Sequence, residues 1–351
     1  TRPSRPKGNP SLSPAERSSD IGAVATLAAM SRTTPMFARL RQRPGPRTVR
    51  AALLASVAGL WVIVPSGAAV RLTASGLGCP DWPLCEGNQV IPETSAHAAI
   101  EGSNRVLSAL VVIVAVIAWL IAMRAPSAGR ALRVFAGIAA FGSIGQVPLG
   151  AITVLLDLHP VAVGAHFLLS MVALAAGVVA ALIATDDVAG RRRKLSRARA
   201  PLAALAVVAG ASTLVTGMLV TAAGPHSGDR EVVERFGDLS DAAYVHVRSA
   251  IVFVVLAAVL VAWVLRDPRS GALTKGLGIA LVPALVVQIG LGEYQWRNGL
   301  PVEVVGAHVS LGALVWGLVV ATAVAAALPE EAPQHAPPTT EAMGERAPAA
   351  A

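Results

Sequence analysis

The chain has 351 residues, 54% of them hydrophobic and 14% charged, with a formal net charge of +8. Soluble globular domains carry about 25% charged residues, so a soluble enzyme, a nucleic-acid binder and a disordered protein are excluded as first readings. The apolar residues come in long unbroken runs and not in alternation, which excludes a β-barrel porin. Two cysteines are enough for one bridge and too few for a disulfide scaffold.

A spanning helix needs about 20 mostly apolar residues. Eight stretches qualify, at roughly 51–70, 104–123, 131–155, 161–184, 201–223, 246–265, 274–292 and 302–328. The first run follows a long basic tail and lacks a small-residue cleavage site, so it reads as a span and not a signal peptide. Alternate connections carry 23 of the 29 Lys and Arg. The positive-inside bias therefore predicts that both termini are cytoplasmic. Residues 1–48 and 329–351 are rich in Pro, Ala, Arg or Glu and read as disordered tails.

An internal repeat organises the spans. Val163-Gly164-Ala165-His166 recurs as Val305-Gly306-Ala307-His308, an offset of 142. The same offset carries Gln146 to Gly150 onto Gln288 to Gly292, and Asn104 onto His246. Gly67 and Gly217 open similar runs, GAAVRLTASG and GMLVTAAG, at an offset of 150, so the first outside loop is about eight residues longer than its counterpart. The extra material contains Cys79 and Cys85. The expected fold is an all-α integral membrane protein of eight transmembrane helices in two parallel-repeat four-helix bundles. The expected divisions are a tail 1–48, a first half 49–185, a basic linker 186–200, a second half 201–328 and a tail 329–351.

Seven histidines stand at 97, 159, 166, 226, 246, 308 and 335. Ionisable groups inside a membrane are costly and usually functional. His166, His246 and His308 fall early in spans four, six and eight, at similar depth near the outer leaflet. Each alone reads equally as a histidine bonded to a neighbouring helix. Together, His246 and His308 occupy the second and fourth helices of one bundle, where two imidazoles facing across a core hold haem iron. Zinc fits less well, because no Cys, Asp or Glu stands near to complete a tetrahedral shell.

The first half differs. His166 matches His308, but Asn104 stands where His246 has its counterpart, and an amide is a poor iron ligand. Glu101, one turn before Asn104, lies on the same helix face; Ala243 occupies that place in the second half. One half thus looks fit for a six-coordinate electron-transfer haem, and the other for one histidine, a carboxylate and an open iron position. His97, about 10 Å before Asn104 along a helix axis, is either a displaced ligand or a loop residue. His159 reads as a loop residue and His335 as tail. His226, in an outside turn, is a candidate for a haem propionate. Arg105 and Arg248 at the outer ends of spans two and six either snorkel to headgroups or pair with propionates.

The residues that carry a family resemblance are RLTASGLGCPDWPLC (71–85), IEGSNR (100–105), GQVPLGAITVLLDLHPVAVGAHF (145–167), VTGMLVTAAGPHSGD (215–229), HVR (246–248), QIGLG (288–292) and VVGAHVSLGALVW (304–316). With these the chain resembles haem A synthase, the membrane enzyme that oxidises haem O to haem A, over about 49–328. The resemblance implies a resident haem b between His246 and His308. It implies that substrate haem O sits in the first half, beside His166, where a ring methyl becomes formyl by successive hydroxylation. Glu101 matches the acidic residue of that site, which proton transfer would require; capping span two or pairing with Arg105 are its alternatives. Cys79 and Cys85 match an outside disulfide of part of the family, expected on an oxidising face, either as a staple or in redox exchange with a thiol carrier. Asn104 departs from the family, where many members have His, which brings His97 forward as a substitute.

The implied partners are the farnesyltransferase that makes haem O, cytochrome oxidase assembly and membrane lipid, with no nucleic acid; homo-oligomerisation stays open. The implied location is the cell membrane, with the haem sites toward the outer leaflet. The competing readings are a non-enzymatic diheme electron-transfer cytochrome and a transporter. The first predicts two matching bis-imidazole sites; the second predicts broken helices, for which Pro148 and Pro283 are the only hints.

Overall fold

The computed structural model describes residues 43–79, 82–85, 89, 95–191, 194–226, 228–229 and 235–329. Among them the regular structure is eight long α-helices: α1 (Pro46–Leu72), α2 (Ala96–Arg124), α3 (Arg130–Leu155), α4 (Pro160–Ala189), α5 (Ala200–Ala223), α6 (Leu239–Arg266), α7 (Ala272–Arg297) and α8 (Val302–Ala327). All eight are long and apolar enough to cross a membrane, and the chain is a multi-pass membrane protein. Most of the two tails, with His335, lies outside the described residues, but 46–48 form the first turn of α1.

The helices begin where local chemistry caps them. Proline occupies the first turn of α1, α4 and α5, where its missing N–H costs no helical bond. The Ser95 hydroxyl accepts from the Ala98 N–H and starts α2 eight residues earlier than hydropathy predicts. The Asp238 carboxylate accepts from the N–H groups of Ser240 and Asp241 and starts α6 seven residues early. These polar first turns bring Glu101 and Asn104, and Tyr244 and His246, onto continuous helix. Gly190 ends α4 in the left-handed conformation at φ 65°. Pro65, Pro148 and Pro283 each sit inside an unbroken helix, which removes the broken spans a transporter reading needs.

Neighbouring helices close two rings, α1–α2–α3–α4 and α5–α6–α7–α8. α8 also packs on α1 and α4, and α4 on α5. α4 and α8 are accordingly the most enclosed helices. Their contacts are built from small residues, which let backbones approach where lipid supplies no hydrophobic drive. Ala173, Ala206 and Ala257 are fully buried, Gly177 meets Val57 and Leu60, and Gly210 meets Phe253 and Trp316. Two indoles pin α8: the Trp316 N–H donates to the Met171 carbonyl of α4 at 2.9 Å, and the Trp61 N–H of α1 donates to the Ser310 carbonyl at 3.2 Å. The outer faces are apolar, as along α2, where Leu110, Ile113, Ile117 and Leu120 form one exposed stripe at helical spacing.

Candidate haem-binding sites in the two helix rings

In the second ring, His246 on α6 and His308 on α8 each lean against a glycine of the preceding helix. A Cβ on Gly217 would lie 3.1 Å from His246 Cε1, and one on Gly292 would lie 3.2 Å from His308 Cε1. A Cβ at either position would be tighter than ordinary contact and would push the imidazole back by a few tenths of an ångström. α6 and α8 touch across the ring. Thr216 Oγ1 lies 3.2 Å from His246 Nδ1. The Gln288 amide nitrogen donates to the His308 carbonyl at 3.0 Å and lies 3.2 Å from His308 Nε2. His308 Nδ1 is buried with no partner.

The first ring repeats half of this. His166 on α4 leans on Gly150 of α3, with a would-be Cβ 3.4 Å from its Cε1. The Gln146 amide nitrogen donates to the His166 carbonyl at 3.0 Å, and His166 Nδ1 is buried without a partner. On the opposite helix the pattern changes. The Ser66 hydroxyl, at the position of Thr216, donates to the Asn104 Oδ1 at 2.8 Å. Gly67, the counterpart of Gly217, has nothing within 4 Å of a would-be Cβ. α2 and α4 do not pack on each other as α6 and α8 do.

Above Asn104, Glu101 is buried and fully engaged. Its Oε1 accepts from Arg105 Nη2 at 2.6 Å and its Oε2 accepts from the Cys79 N–H at 2.8 Å. Arg105 also donates to the Leu84 carbonyl at 2.9 Å. Cys79 and Cys85 form a disulfide, and both are buried. The carboxylate therefore ties the disulfide loop to the N-terminal end of α2. The guanidinium of Arg105, a candidate for a propionate, is directed to this clasp.

The other sequence candidates fall elsewhere. His97 lies in the first turn of α2, exposed, with Nδ1 2.9 Å from the Ser75 hydroxyl. His226 Nε2 lies 3.0 Å from the Leu300 carbonyl. Arg248 is exposed and stacks over the ring of Tyr244 on its own helix. His159 caps α4, with Nδ1 accepting from the Val161 N–H. Four partners escaped the sequence reading: Ser66, Thr216 and the glutamines that brace His166 and His308. Their signal was present, since Ser66 and Thr216 directly precede the paired glycines and both glutamines begin the repeated segment. Arg71 escaped too; its Nη1 donates to the His226 carbonyl at 2.7 Å and joins the last turn of α1 to the loop after α5.

Two imidazoles on facing helices, one of them, His308, with a buried ring nitrogen lacking a protein partner, are a donor set that could hold haem iron. Among the described residues no group of three or more His, Cys, Asp or Glu could hold a metal ion, so the donor set does not suit zinc.

The family model of a cytochrome oxidase assembly protein matches residues 50–103, which run from α1 through the cysteine loop to the turn holding Glu101. The heme A synthase of Halalkalibacterium halodurans is 34% identical over 134 residues, covering 37% of this chain and 44% of that protein. The heme A synthase of Symbiobacterium thermophilum is 36% identical over 124 residues, covering 34% and 40%. A protoheme IX farnesyltransferase of Thermus thermophilus is 34% identical over 99 residues, 27% of this chain and 16% of that protein. The aligned part spans less than half the length of these relatives. Over about a third of its length the chain is similar to heme A synthases, and over residues 50–103 to a cytochrome oxidase assembly protein family.

Proposed function

We propose that the chain is a haem A synthase, oxidising a ring methyl of haem O to formyl by two hydroxylations and loss of water. The two rings are its two halves, 49–185 and 201–328, joined by the basic linker, with both termini cytoplasmic. The second half holds haem b as a resident cofactor, and the first half receives haem O. The observation that carries this reading is the inequality of two otherwise matched pockets. One offers two imidazoles seated on glycines; the other offers one imidazole, an amide and a buried carboxylate.

Bound haem b would supply one-electron chemistry. The protein's part begins with ligand orientation. Thr216 engages Nδ1 of His246, so Nε2 is the nitrogen offered to iron. Gln288 braces the backbone and ring of His308 in the facing helix. In the first half Gln146 holds the His166 turn in the same way. Glu101 is the buried carboxylate for proton transfer at the substrate methyl. Arg105 and the Cys79 N–H fix both of its oxygens, so taking a proton requires one of these bonds to yield. Arg248 and His226, at the outer ends of the second ring, are the groups within this reading for propionates. The comparisons do not favour the diheme cytochrome.

Co-expression with a haem O-forming farnesyltransferase, in a host without its own haem A, tests the reading. Haem A in the extracted pigment is expected; haem O accumulating unchanged contradicts it.

A further inference from the structure

The place filled by the His246 ring in the second half has no equivalent occupant in the first. Asn104 is tied sideways to Ser66, Gly67 faces open space, and beside Asn104 lies an open groove of about 400 Å³ between α1 and α2. It is lined by Ser66 and Ala69 of α1 and by Ile100, Ser103, Asn104 and Leu107 of α2. Neither His97, the imidazole on α2, which faces Ser75, nor His166 of α4 is among its lining residues. A water takes about 30 Å³, so the groove leaves Asn104 reachable by a small molecule. Ser66 donates to Oδ1 of Asn104, which leaves the two N–H bonds of Nδ2 as the donors this side chain can offer.

We propose that iron in the first half is held by His166 alone, and that Asn104 stands over an exchangeable coordination position for a small neutral ligand, water or a diatomic gas. The amide is then a hydrogen-bond donor to that ligand and not itself an iron ligand. This rests on the first half being the substrate pocket. The unequal pair follows from two substitutions at matched positions: imidazole on threonine in one half, carboxamide on serine in the other. A six-coordinate bis-imidazole haem has no vacancy, whereas a haem with one imidazole binds an added ligand directly, and distal donors then tune it.

The test uses the full chain purified after co-expression with a haem O-forming farnesyltransferase, reduced, with carbon monoxide as probe. Two haems per chain are expected, of which one forms a carbonyl complex and the other keeps its low-spin spectrum. Asn104→His should abolish the carbonyl complex with both haems retained. Asn104→Leu should keep it and move the C–O stretch to higher frequency, because the donor is gone. His166→Ala should lose the carbonyl-forming haem. Two haems without any carbonyl complex overturn the proposal and leave the proposed function standing, as does a carbonyl complex that persists in Asn104→His. One haem per chain under these conditions removes the substrate-pocket reading and this proposal with it.

Discussion

The Ser66 hydroxyl donates to the Asn104 carboxamide at 2.8 Å, at the same repeat positions where Thr216 meets the imidazole of His246 at 3.2 Å. A hydroxyl on the helix before the glycine thus orients the side chain on the next helix in both rings. What differs is the group being oriented. In the proposed function, that single difference separates a closed ligand pair from an open one.

Removing either ligand of the closed pair should be read in the spectrum. His308→Ala and His246→Ala are each expected to abolish the low-spin haem b signal and lower bound haem by one per chain. An unchanged low-spin spectrum in either variant would remove that residue from the axial pair.

The glycines under the rings give a sharper contrast. Gly292→Ala puts a methyl 3.2 Å from His308 Cε1, and Gly217→Ala puts one 3.1 Å from His246 Cε1. Both should shift the haem b spectrum by displacing the imidazole. Gly67→Ala meets nothing within 4 Å and should leave the spectrum intact, gaining up to about 1 kcal/mol from helix propensity. Equal behaviour of the three in optical spectra and thermal unfolding would contradict the seating described.

Glu101 tests the division between clasp and chemistry. Glu101→Gln keeps one acceptor oxygen, for Arg105 or for the Cys79 N–H but not for both, and cannot take a proton. It should retain haem b and lose conversion of haem O. Glu101→Ala leaves Arg105 without its carboxylate and should in addition cost about 2–4 kcal/mol of stability. Pigment extraction and thermal unfolding of both variants separate the effects; a Gln variant that converts at the normal rate would confine Glu101 to structure.

Arg71, in the last turn of α1, links the first ring to the loop after α5 through the His226 carbonyl. Arg71→Ala should lower stability by about 1–3 kcal/mol, the range for a lost charge-assisted bond, measured as a lower unfolding midpoint in detergent. No change in the midpoint would show that the rings are held by the α8 contacts without it.

The sequence made the spans legible because each is a long apolar run, and its repeat paired His166 with His308 and Asn104 with His246. It hid the early starts of α2 and α6, whose first turns are polar and resemble loop until Ser95 and Asp238 are seen capping them. It also hid the contact of Arg71 with His226, 155 residues away. Such a partner is set by how helices rotate and stack, which no local pattern records. The engagement of Glu101 with the Cys79 N–H was hidden for the same reason, although both residues had been singled out.

The most direct measurement is an iron anomalous-scattering map of the chain crystallised with haem b and haem O. Expected are one peak between His246 and His308 and a second beside His166, with no side-chain nitrogen ligand from α2. A single peak, or iron held away from these imidazoles, would contradict two unequal porphyrin pockets in one chain.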